Sequence, residues 1–115
     1  MAQEGIPVKV NKENMEKWIA ALESGRYTQI KYRFIGDTPM ERCAVGVGIG
    51  LVSKARTHAT APSERFYAWI GLPNSLASSL CVEEPDGDQV HVIEANDAFG
   101  LSFSDIAQRL RKKYL

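Results

Sequence analysis

Two cysteines, two histidines and no net charge leave this 115-residue chain with few of the usual ingredients of catalysis or metal binding. Cys43 and Cys81 are too few for a disulfide framework, so a reducing, cytoplasmic setting is the expectation. The cysteines form no Cys-x-x-Cys pair, and His58 and His91 stand far apart, so the spacing of a zinc site is missing. Asp86-Gly87-Asp88 lacks the bidentate acidic residue that completes a calcium loop. Fourteen basic residues cancel fourteen acidic ones. That balance removes the global field that draws a protein onto nucleic acid or anionic lipid, and either partner would need a local patch. The longest apolar run, Cys43 to Val52, is interrupted by glycine and falls far short of a membrane span. The opening Met-Ala-Gln-Glu-Gly has neither the basic start nor the apolar core of a signal peptide. No metal, cofactor or membrane is expected, and nucleic acid is disfavoured as a partner.

What is present is the composition of an ordinary globular protein, 44% apolar and 24% charged. A chain of this size buries about 65% of its unfolded surface without staples, and residues 1–115 read as one domain. Asn11 can cap a helix in which Met15, Trp18, Ile19 and Leu22 recur at helical spacing, with Gly25 just past its end. This predicts a helix over 12–24. Near the other end, Ser102 and Asp105 have the spacing of a capping box, and Leu101 and Ile106 that of a hydrophobic staple. Ile106 and Leu110 continue the apolar stripe, while Arg109, Arg111, Lys112 and Lys113 suit the negative end of the dipole. A helix over 103–113 follows.

Between them the pattern changes. Tyr27 to Ile35 alternates and predicts a strand with one solvated face, broken by Gly36-Asp37-Thr38-Pro39. Residues 43–55 are apolar without a readable period; their length favours a helix, and Gly46, Gly48 and Gly50 count against it. Residues 56–65 read as a mobile loop. Phe66 to Leu72 is an aromatic cluster, Asn74 or Ser75 can start a short helix to about Leu80, and residues 89–95 fit neither template. The fold expectation is α+β: N- and C-terminal amphipathic helices packed on a short antiparallel sheet that includes 27–35. Trp18, Leu22, Cys43, Val45, Val47, Trp69, Ile106 and Leu110 are the predicted core.

Three motifs occur in order: Trp18-Ile19-Ala20-Ala21-Leu22-Glu23-Ser24-Gly25-Arg26-Tyr27, Cys43-Ala44-Val45-Gly46-Val47, and Asn96-Asp97 followed by Gly100-Leu101-Ser102-Phe103-Ser104-Asp105-Ile106-Ala107. Together they resemble a family of small uncharacterised proteins encoded by bacteriophages and prophages. The resemblance implies a mobile-element origin and a cytoplasmic location, and no activity. Ala44 stands where that pattern has a second cysteine, and Gly48-Ile49-Gly50 replaces a Leu-Cys-Asp-like continuation, which argues against a thiol pair.

Three constellations carry functional readings. Cys43, His91 and Asn96 follow the order of a papain-like thiol hydrolase, in which a helix end and an imidazole activate the thiol; a small buried Cys43 explains the same residue more simply. Arg26, Lys31 and Arg33, interleaved with aromatics, can line a cationic strand face for a small anionic ligand such as a nucleotide. Phe66, Tyr67 and Trp69 can anchor a protein partner if they are exposed. The expectation is a phage- or prophage-type accessory protein that binds a host protein or a small anion without catalysis, with the Cys43 hydrolase as the alternative.

Overall fold

Both terminal helices form where capping and periodicity place them, and they lie against each other. The computed structural model describes residues 10–72, 77, 79–83 and 86–115. Helix α1, Lys12–Glu23, starts at Asn11, whose side chain accepts from the Asn14 amide at 3.0 Å. It stops at Gly25, whose φ of +76° is open to glycine at little cost. Helix α5, Phe103–Tyr114, starts at Ser102, whose hydroxyl accepts from the Asp105 amide at 3.1 Å. Leu101 and Ile106 are both buried, as a staple requires. Arg111, near the end of α5, pairs with Glu16 and Glu23 of α1 at 2.8 Å each. All three side chains are partly exposed, so the apolar faces rather than these pairs hold the helices together.

Helix α2, Ala44–Val52, resolves the ambiguity of the apolar run. Its glycines serve close approach. A Cβ on Gly46 would stand 1.8 Å from the Phe34 carbonyl oxygen, and one on Gly48 would stand 2.1 Å from the Phe66 ring. Helix propensity is sacrificed so that neighbours can touch the α2 backbone. Trp18 of α1 donates its indole N–H to the Ala44 carbonyl at 2.9 Å and meets the Phe66 ring edge-on at 4.9 Å. Phe66 belongs to α3, Ser63–Trp69, which follows a single 3₁₀ turn, His58–Thr60. The segment 56–65, expected as a loop, thus carries that turn and the start of α3.

The sheet expectation needs correction in its parts. Only Thr28–Gln29 (β1) forms a strand within 27–35, and it pairs in parallel with Glu41–Arg42 (β2). Residues 31–34 leave the strand because side chains take the backbone groups a ladder would use: Asn96 donates to the Ile30 carbonyl, and His58 accepts from the Phe34 amide. Tyr32 between them has φ +66°. The antiparallel sheet lies elsewhere, as a hairpin of β3, Cys81–Glu83, with β4, Gln89–His91, in register Cys81↔His91. Helix α4, Val92–Asp97, follows β4 directly, so 89–95 mixes two periods and matches neither. The fold is α+β, with helices packed around one core. Of the eight predicted core residues, seven are buried; Trp69 is half-buried at the edge. The expected start of a helix at 74–75 and most of the N-terminal edge segment, Val8-Lys9-Val10, lie outside the described residues.

Candidate functional site

Cys43 does sit at a helix N-terminus, and its surroundings keep it a thiol. Its sulfur accepts from the Gly46 amide at 3.4 Å as the cap of α2, and the side chain is 1% exposed. Burial outweighs the helix end and pushes the thiol pKa up to about 11. The two expected helpers are engaged elsewhere. His91 accepts from the Ile93 amide at Nδ1, 3.1 Å, while its Nε2 lies 3.0 Å from the Ala77 carbonyl. That geometry requires the neutral Nε2–H tautomer and leaves neither nitrogen to activate a thiol. Asn96, fully buried, accepts from the Ala44 amide and from Gln29, and donates to the Ile30 carbonyl and to Asp97. Cys43, His91 and Asn96 are therefore three caps and clamps, and the structure does not arrange them as nucleophile, base and orienter.

The other two constellations are also redistributed. Phe66 and Tyr67 are buried, with the Tyr67 phenol pushed up to about 12 by burial, so they cannot offer exposed anchors; Trp69 is half-buried. The reason is geometric: α3 turns its aromatic face onto α1 and α2, where sequence alone left the facing direction open. Arg26, Lys31 and Arg33 are all exposed, and no strand aligns them. Arg26 lies on the turn after α1. Lys31 Nζ leans to 3.5 Å from where a Cβ on Gly100 would stand, and Arg33 pairs with Asp37 at 3.5 Å.

Lys31 and Arg33 nonetheless flank Tyr32, which is not among the candidate residues expected from sequence. Tyr32 is 73% exposed in a left-handed backbone conformation, at the apex of a strap whose two sides are tied down. Asn96 holds the Ile30 carbonyl at 2.8 Å. On the other side His58 holds the Phe34 amide at 2.7 Å, with its ring 5.0 Å from that of Phe34, and the Cys43 amide donates to the Phe34 carbonyl. Beneath the apex are two cavities of about 190 and 480 Å³, which share Tyr32, Ile93 and Asp97 in their walls. His58 and Cys43 line the first, Glu94 and His91 the second. A left-handed tyrosine costs about 1–2 kcal/mol. Such strain, held in place by three hydrogen bonds, makes Tyr32 a candidate position that no sequence period announces. The nearest sequence signal was the exposed-type trio Lys31-Tyr32-Arg33 itself.

Among the described residues, no group of His, Cys, Asp and Glu is arranged to hold a metal ion, and no helix is long and apolar enough to cross a membrane. Comparison with protein-family models, curated proteins and solved structures gives no match. The functional reading accordingly rests on the residues and their geometry.

Proposed function

We propose that this protein acts by binding rather than catalysis, as an accessory protein that docks on a partner protein through the Lys31-Tyr32-Arg33 apex. The carrying observation is Tyr32, presented to solvent at a backbone cost on a strap pinned at Ile30 and Phe34. Tyrosine supplies a large, rigid contact at low entropy cost and is enriched among residues that dominate binding energy. Two cations beside it favour a partner surface with an acidic rim, since Arg33 shares only a weak exposed pair with Asp37. The motif resemblance to mobile-element proteins supports an accessory role of the same kind. The tyrosine apex replaces Phe66 and Tyr67 as the anchor.

The test uses the protein purified from its own cells and native mass spectrometry. Wild type should retain a bound protein that Tyr32→Gly releases, while stability stays level or rises by about 1 kcal/mol as the left-handed strain is relieved. Lys31→Gln with Arg33→Gln should weaken the same complex and reduce its salt dependence. A complex that survives Tyr32→Gly, or a wild-type protein that carries no partner, overturns the reading.

A further inference from the structure

We infer that the cleft between the turn at Pro39 and the strap 53–56 is a binding site for a multivalent phosphate anion. Its described walls are Pro39, Arg42, Ser53, Lys54, Ala55 and Arg56, around about 320 Å³. None of them is acidic. Arg42 is 5% exposed and has no carboxylate partner among the described residues; its guanidinium is held by three carbonyls and lies 6.0 Å from the centre of the Tyr27 ring. Nε donates to Pro39 at 2.5 Å, Nη1 to Gly46 at 2.9 Å and Nη2 to Ala55 at 3.2 Å. Burial lowers its pKa, the direction expected of a cation short of negative charge. A guanidinium has five N–H donors, so donors remain beyond the three in use.

Arg42 as a clamp between turn, α2 and strap accounts for the three carbonyl bonds. It does not account for the company it keeps. Lys54 and Arg56 line the same cleft, are exposed, and form no ion pair with a described residue. Two further cations beside a buried, unneutralised guanidinium raise its cost, and an anion seated between them would remove it. Three positive charges with no carboxylate suit a pyrophosphate or triphosphate better than a monocarboxylate, and the planar fork of arginine matches phosphoryl oxygens. Ser53 adds a hydroxyl, already held by the Ala55 amide at 3.1 Å, which leaves its proton to donate. The cationic residues expected from sequence are Arg26, Lys31 and Arg33; those gathered at this cleft are Arg42, Lys54 and Arg56.

Calorimetry and thermal melts with inorganic tripolyphosphate test this. Tripolyphosphate should bind and raise the melting temperature, citrate should bind at least about tenfold more weakly, and Lys54→Gln or Arg56→Gln should each cost about tenfold. Both positions are exposed and form no ion pair with a described residue, so the variants keep the fold. The Nε–H resonance of Arg42 should shift on titration, a response that a purely structural clamp does not give, and Tyr32→Gly should leave the affinity unchanged. Absence of binding, equal affinity in the Lys54→Gln/Arg56→Gln double variant, or equal affinity for citrate overturns the assignment. So does an oligonucleotide that binds more tightly than tripolyphosphate.

Discussion

The α1–α5 face and the segment from Tyr27 to Cys43 are built on opposite principles. In the first, long amphipathic helices bury Met15, Trp18, Ile19, Leu22, Ile106 and Leu110 against each other and the core. Each fully buried side chain of that kind contributes about 1.5–3 kcal/mol by leaving water. In the second, two strands of two residues each supply almost no ladder. The chain there is held by polar side chains from distant elements: Asn96 on Ile30, His58 on Phe34, and Gln29 to the Leu101 carbonyl at 2.7 Å and the Phe103 amide at 3.0 Å. One region gains order from repeated apolar contacts and the other from a handful of unrepeated hydrogen bonds. The Tyr32 apex lies wholly in the irregular region, which also supplies Pro39 and Arg42 to the second proposed site, and this fits a site built on loops that a rigid scaffold positions.

The largest effect should come where the irregular segment meets α2. Gly46→Ala forces a Cβ against the Phe34 carbonyl oxygen, a backbone atom that cannot step aside, and should abolish cooperative folding. Gly50→Ala meets only the Arg42 guanidinium at 3.0 Å and should fold. Circular dichroism melts of the pair decide this, and a cooperative melt for Gly46→Ala would show that the strap does not constrain α2.

Next comes a direct contest between the two principles. Leu110→Ala should cost about 2–5 kcal/mol through lost burial and a cavity. Asn96→Ala removes little volume yet strands the Ala44 amide and the Ile30 carbonyl, and should cost about 3 kcal/mol. Urea midpoints measure both. A cost below about 1 kcal/mol for Asn96→Ala would mean that apolar packing alone carries both regions.

The smallest effect separates the regions by pH. Burial lowers the pKa of His91 below its ordinary 6.5, so its stabilising contribution is present above that pH and is lost as pH falls through the lowered folded value. The Arg111 hydrogen bond lowers Glu23 below 4.5, so the α1–α5 side keeps its contribution until more acid conditions. Stability should therefore begin to decline below about pH 6.5, and His91→Gln should flatten that first limb only. An unchanged limb would assign the acid response to other groups.

Legibility followed the same division. Asn11, Gly25, Ser102 and the apolar stripes are local signals: a cap speaks to an amide three residues away, and a helix face repeats within one turn, so α1 and α5 could be read from neighbours in the chain. The 27–35 alternation is also local, and it misled because the groups that end the strand, Asn96 and His58, are more than twenty residues distant. The hairpin of β3 and β4 escaped for a related reason, since its three-residue strands are too short to show a period and β4 runs straight into α4. Of the candidate residues, Cys43 was placed correctly at the start of α2, yet its exposure, which decides between nucleophile and cap, was not legible. The same holds for Phe66 and Tyr67, whose aromatic character is evident and whose inward direction is not.

The sequence by itself determined the α+β class, the two terminal helices with their caps, and most of the core, because these rest on interactions spanning a few residues and on apolar content. Only the tertiary structure decided that Tyr32 faces solvent in a left-handed turn, that His91 and Asn96 serve as clamps, and that Arg42 is buried beside Lys54 and Arg56. Those outcomes depend on which distant groups meet a given backbone amide, carbonyl or charge, and a meeting across the fold leaves no period in the chain.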